Sequence, residues 1–162
     1  MRIVVFSDSH NSFGPLHRVV SEQPMADLFL HLGDGEPEFD DLRTLYPDKR
    51  MIFVKGNCDW ASFASEQHLL SVFGRRIFFT HGHLYDVKRG VGLLVQKAKA
   101  LGADIVCFGH THLPQNEYAG GVYLLNPGSI GQPRAALPGY GVIDLSEAGI
   151  APSLVSLQGG RS

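Results

Sequence analysis

The chain has 162 residues, with 14 Lys and Arg against 16 Asp and Glu and 44% hydrophobic residues. That is one ordinary domain's worth of chain, long enough to bury a core without a disulfide or a structural metal. The composition excludes disorder, and a formal net charge of −2 leaves no basic field for nonspecific nucleic-acid binding.

The first apolar run, Ile3–Phe6, meets Asp8 too soon to be a signal-peptide core. No stretch approaches the ~20 apolar residues of a membrane span. Two cysteines, Cys58 and Cys107, make no disulfide framework and suit a reducing compartment. The expected location is therefore cytoplasmic, with neither membrane nor nucleic acid as a partner.

Further runs of strand length follow at Leu28–Leu32, Met51–Val54, Ile77–Phe79, Ile105–Phe108, Val122–Leu125 and Val142–Leu145, with a weaker one at Leu154–Leu157. Several are continuous rather than alternating, which predicts strands covered on both faces. Helical spacing lies between them. Leu16, Val19 and Val20 follow Ser12 as N-cap; Phe39, Leu42, Leu45 and Tyr46 are entered through Pro37. Val91, Leu94, Val95, Ala98 and Leu101 end at Gly102, where a helix C-terminus favours a left-handed residue. The order β-α-β-α-β, then a hairpin turning at Gly74-Arg75-Arg76, predicts an α/β protein with sheets inside helices. Residues 1–157 read as a single domain and 158–162 as a C-terminal tail.

Polar residues cluster where these strands end. Asp8-Ser9-His10, Gly33-Asp34-Gly35, Gly56-Asn57-Cys58-Asp59, His81-Gly82-His83 and Gly109-His110-Thr111-His112 each follow an apolar run. Open α/β sheets bind ligands outside the carboxyl ends of their strands. One Asp after a strand is usually a turn former, and one His in a strand is usually core. Five such pieces together would be costly to bury without a neutralising cation. Mixed His, Asp and Asn donors suit Mn, Fe, Ni or Zn. Seven ligands exceed one tetrahedral site and suit two ions that share a carboxylate, the layout for hydrolysing a phosphate ester.

These five ordered motifs, spanning about residues 3 to 129, resemble those of the calcineurin-like metallophosphoesterases. The short chain, Gly56-Asn57-Cys58-Asp59 and the turn Asn126-Pro127-Gly128-Ser129 are similar to the small YfcE-type phosphodiesterases. The resemblance implies an αββα sandwich, two mixed sheets flanked by helices, with a dinuclear site on one edge. It implies that Asp8, His10 and His112 bind one ion, that Asn57, His81 and His110 bind the other, and that Asp34 bridges them. Asn57 would also reach the phosphate. The implied reaction is attack of a metal-bridging hydroxide on a small phosphate ester, with manganese as the expected metal.

Larger members often carry His where this chain has Cys58, and that His is thought to protonate the leaving group. A thiol replaces it poorly, which makes His83 a candidate substitute; the alternative for Cys58 is a small packing residue. Asp59 either orients a site histidine or caps a turn. His83 either serves the reaction or donates to a backbone carbonyl. His31 reads as a core residue, and neither His17 nor His68 carries a function. Arg134 either reaches a substrate phosphate or is solvated, and Trp60 and Phe63 either wall a pocket or join the core. Two alternatives accompany the phosphodiesterase: a phosphomonoesterase or nucleotide phosphatase on the same site, and a protein-binding scaffold like the retromer subunit that resembles these enzymes. A homo-oligomer is compatible with the sequence, which shows no interface.

Overall fold

Continuous apolar strands need cover on both faces, and the computed structural model shows what covers them. Residues 1–157 are described; the expected tail at 158–162 lies outside the described residues. The strands form two five-stranded sheets. In the first, β1 (Arg2–Phe6) lies between β2 (Leu28–His31) and β9 (Gly139–Ser146), with β3 (Met51–Phe53) and β10 (Gly149–Ser156) at the edges. In the second the order is β4 (Gln67–Val72), β5 (Arg75–Thr80), β6 (Ile105–Cys107), β8 (Val122–Pro127), β7 (Pro114–Ala119). Each sheet mixes two parallel pairings with two antiparallel ones.

Side chains along β1 alternate between two cores, as a period of two requires. Ile3 and Val5 point between the sheets, where they meet Leu28, Leu30, Phe79 and Ile105. Val4 and Phe6 point outward to Leu16 and Val19 of α1 (Phe13–Glu22) and Phe39 and Leu42 of α2 (Glu36–Leu45). Across the molecule, Phe78, Val106 and Leu124 pack under Leu94 and Ala98 of α3 (Gly92–Ala100). The layers therefore run helix, sheet, sheet, helix, the αββα sandwich the motifs imply.

Several local expectations shift. Ser12 occupies the N-cap of α1, but its hydroxyl makes no cap bond. Leu45 is 53% exposed because α2 ends there, so its buried stripe is carried by Phe39 and Leu42. The hairpin turns at Phe73-Gly74, one residue earlier than expected, with Val72 paired to Arg75. Both turn residues have positive φ, 50° and 68°, the handedness that two-residue hairpins favour. Gly102 is left-handed as expected, at φ 63°.

The parallel strands position the site. β1, β2 and β3 run together in one sheet, as β5, β6 and β8 do in the other. Every predicted ligand follows the carboxyl end of one of these strands.

Candidate metal centre

The loops leaving these strands are held in unusual backbone conformations. Asp8, His10, Asp34, His110 and His112 all have positive φ, between 43° and 67°. For residues other than glycine this region costs roughly 1–3 kcal/mol each, and such strain collects at functional sites. The glycines alongside allow the loops to touch. At Gly33, φ is 102° and a Cβ would sit 2.5 Å from the Gly56 nitrogen. The loop carrying Asp34 can therefore lie directly on the loop carrying Asn57.

The ligand-type atoms converge from both sheets. Asp8 is fully buried. Its Oδ2 accepts from the Ser7 hydroxyl (2.5 Å) and the His110 N–H (3.1 Å). Its Oδ1 has no hydrogen-bond partner. His112 Nε2 comes within 3.1 Å of that oxygen without the alignment of a hydrogen bond, and His10 and His81 Nε2 lie 3.8 and 3.9 Å away. Asp34 Oδ2 stands between the two halves, 3.9 Å from His10 Nε2 and 3.3 Å from His81 Nε2. On the far side, His81 Nε2 is 3.1 Å from Asn57 Oδ1 and 3.2 Å from His110 Nδ1.

Tautomers decide what these nitrogens offer. His81 Nδ1 donates to the Leu32 carbonyl at 2.8 Å, and His112 Nδ1 donates to the Gln132 carbonyl at 2.6 Å. In the neutral rings both Nε2 lone pairs must then face the centre, the arrangement that prepares histidine for a metal. Lone pairs facing carboxylate oxygens repel unless a proton or a cation lies between them. Against the cost of burial, Asp34 and Asp8 push the His81 pKa up, and the Asp8 carboxylate beside it raises His112. Asp8 and Asp34 lie below the usual carboxylate range despite their burial, held there chiefly by His112 and His81 respectively. Burial and the neighbouring His81 drive His110 down to about 4, leaving it neutral.

The donor set fits divalent ions: an orphaned buried carboxylate oxygen, imidazole lone pairs aimed at it, and oxygen and nitrogen donors of the borderline type. Asp8, His10 and His112 form one group whose ligand atoms all lie within 4.8 Å of one another; Asp8, Asp34 and His81 form a second. All seven predicted ligands are thus brought together.

The other candidates fall in different places. Asp59 does not touch a histidine. Its carboxylate accepts the backbone N–H groups of Asp34, Gly35, Glu36 and Gly56 at 2.7–3.2 Å, clamping the Asp34 loop to the start of α2. Asp59→Ala leaves four backbone donors without that acceptor and should destabilise the protein by about 3 kcal/mol, read as a shift in the urea midpoint. An unchanged midpoint would contradict the clamp. Cys58 is exposed rather than packed. Its N–H donates to Asp34 Oδ1 at 2.8 Å, and its sulfur groups with His10 and Asp34. Burial of the sulfur and the nearby Asp34 push the thiol up to about 11. His83 is half-buried, its ring 5.4 Å from that of His81, and its Nδ1 has no partner, so it makes no backbone-carbonyl bond from that atom. Trp60 and Phe63 are 91% and 103% exposed, so neither joins the core.

Sequence reasoning missed a buried chain beneath His10. His31 Nδ1 accepts from Gly33 N–H at 3.1 Å, so its Nε2 donates to Ser9 Oγ at 2.8 Å. The Ser9 hydroxyl donates to Glu38 Oε1 at 2.6 Å, which also accepts the Asn11 N–H. Burial holds His31 near 4, so it stays neutral and keeps this direction. His31 is a core residue as expected, but it works as a polar tie between two ligand loops. Glu38 carried no spacing that would have marked it.

A family model, the calcineurin-like phosphoesterase superfamily domain, matches residues 1–148. The chain belongs to this superfamily. A probable metallophosphoesterase of Bacillus subtilis, YsnB, is 38% identical over 136 residues, 83% of this chain and 78% of the relative. The phosphodiesterase YfcE of Escherichia coli is 34% identical over 105 residues, 59% of this chain and 53% of the relative. A solved structure of YfcE, described as a phosphoesterase, aligns with a TM-score of 0.69 at 26% identity over 89% of this chain and 88% of that one. Vps29 of Entamoeba histolytica shares the superfamily fold at a TM-score of 0.76 and 22% identity, covering 98% of this chain and 100% of its own.

Proposed function

We propose that this chain is a dinuclear metal-dependent phosphodiesterase acting on small phosphate esters in the cytoplasm. The observation that carries the reading is the Asp8 oxygen, buried without a hydrogen-bond partner and faced by three imidazole nitrogens, with Asp34 reaching both halves of the cluster. Asp8, His10 and His112 would hold one ion, Asn57, His81 and His110 the other, and Asp34 would touch both. Two bound divalent ions, manganese being the one we favour, supply water activation and neutralise charge on the phosphoryl oxygens.

The chain's own residues do the rest. The Leu32 and Gln132 carbonyls hold protons on His81 and His112 Nδ1, so that both rings present Nε2 inward. Asp59 holds the Asp34 backbone in place through its N–H. Asn57 is exposed at the mouth of the site, so its side chain is open to a phosphoryl oxygen. Cys58 keeps its proton too tightly to be an efficient acid at neutral pH. We assign protonation of the leaving oxygen to the imidazolium form of His83, whose ring lies 5.4 Å from that of His81 and whose Nδ1 is tied to no protein group.

The test is one paired assay. Chelator-stripped protein is restored with Mn²⁺, and hydrolysis of bis-p-nitrophenyl phosphate is followed beside p-nitrophenyl phosphate. Metal-dependent diester cleavage well above monoester cleavage is expected. The reverse preference would identify a phosphomonoesterase. No cleavage of either ester with Mn²⁺, Ni²⁺ or Zn²⁺ would favour the scaffold, and exposed Trp60 and Phe63 would be the first residues to examine for a protein partner.

A further inference from the structure

A cavity of about 620 Å³ lies beside the His110-Thr111-His112 loop. Its size is that of an ordinary small-ligand pocket. Val87, Leu113 and Pro114 give it apolar walls, Thr111 joins it to the loop, and Lys88 and Arg134 supply its charge. No carboxylate lines it.

The two cations are unpaired. Arg2, Arg18, Arg43, Arg75 and Arg89 each meet a carboxylate. Among the described residues, Lys88 and Arg134 meet none, as is true also of Arg50, Lys55, Arg76, Lys97 and Lys99, but these two share one cavity. In a chain with more acidic than basic residues, two free cations on one cavity are not the background of a basic surface. Both are tied to the site. The Arg134 N–H donates to the His112 carbonyl at 3.3 Å. Val87, next to Lys88, packs against Gly82 in the loop after His81.

None of the seven ligand residues lines this cavity. A group seated in it is therefore not the phosphate being hydrolysed. We propose that the cavity binds a second phosphate of the substrate, Lys88 and Arg134 taking its charge and the apolar walls taking the ring or chain that carries it. The preferred substrates are then phosphodiesters with a separate terminal phosphate, the chemistry of a nucleoside bisphosphate ester. This rests on the phosphodiesterase reading.

Two substrates with one leaving group test it: thymidine 5′-(p-nitrophenyl phosphate) and the same ester bearing a 3′-phosphate, with Mn²⁺-restored full-length protein. The 3′-phosphorylated ester should show about tenfold higher kcat/KM, mainly through KM, with the advantage shrinking as salt rises. In K88A/R134A, and in K88Q/R134Q with longer polar side chains retained, the two esters should be hydrolysed with equal kcat/KM. Melting midpoints of both variants check that they fold. Equal kcat/KM in the wild-type protein would overturn the second-phosphate site and leave the phosphodiesterase intact. Cleavage of neither ester would sink the phosphodiesterase reading, and binding would then decide the cavity. Thymidine 3′,5′-bisphosphate should bind about tenfold tighter than thymidine 5′-phosphate by calorimetry, and only when Lys88 and Arg134 are present. Equal binding of the two nucleotides would overturn the site.

Discussion

Asp34→Ala is expected to lower diester turnover by on the order of 10³-fold at saturating Mn²⁺, the scale on which loss of one strong electrostatic group reduces catalysis. Its Oδ2 lies 3.9 Å from His10 Nε2 and 3.3 Å from His81 Nε2, and on the proposed reading no other side chain substitutes for it. The variant should still fold. Asp34 belongs to the polar rim at the strand ends, whereas the three apolar clusters hold the sheets and helices together. Asp34→Asn separates charge from shape. Its amide oxygen can still accept the Cys58 N–H that Asp34 Oδ1 accepts now. It should recover the unfolding midpoint lost in Asp34→Ala without recovering turnover. Near-normal turnover in metal-treated Asp34→Ala would show that the two ions are not shared through this residue.

The second large effect is on stability, and metal changes its dependence on pH. In the chelated protein the His81 and His112 pKa values are raised above 6.5. Their contribution is fully present below the unfolded value and is lost as pH rises through the folded ones. His31 and His110 lie near 4. They favour the folded state above pH 6.5 and lose that contribution as pH falls from there towards 4. Chelated protein should therefore be most stable near pH 6–7 and less stable on either side. Divalent ions compete with the protons on His81 and His112, so the gain in melting temperature on adding Mn²⁺ should grow from pH 6 to pH 8. Thermal scans at a series of pH values, with chelator and with Mn²⁺, measure both curves. A metal-induced gain that is flat with pH, or that shrinks above neutrality, would mean that these imidazoles are not where the ions bind.

The layers of the fold were legible because their physics is local. Ile3–Phe6 is apolar at every position, and the structure covers it on one side with the other sheet and on the other with α1 and α2. β7 was not separately legible. Its residues, Pro-Gln-Asn-Glu-Tyr-Ala, are mostly polar because it is an edge strand facing solvent, and Pro114 sits at its first position, where no ladder N–H is needed. The seven candidate ligands could be singled out because chemistry restricts the residue types that would follow a strand at such a site. The residues that hold them could not. Asp59 acts on four backbone N–H groups, and backbone partners leave no trace in sequence spacing. Ser9, His31 and Glu38 meet only because β2 and α2 bring positions up to 29 residues apart together. The left-handed backbone at Asp8, Asp34 and His112 was equally hidden, since only a glycine would have advertised it.

On the proposed reading, two ions act together in the cluster around Asp8 and Asp34. The most direct measurement titrates chelator-stripped protein with Mn²⁺, counting bound ions per chain while following hydrolysis of bis-p-nitrophenyl phosphate. Two ions per chain are expected, with hydrolysis rising as the second is bound, and with the second ion and hydrolysis lost together in Asp34→Ala. Full activity at one ion per chain, or two bound ions with no ester cleaved, would contradict it.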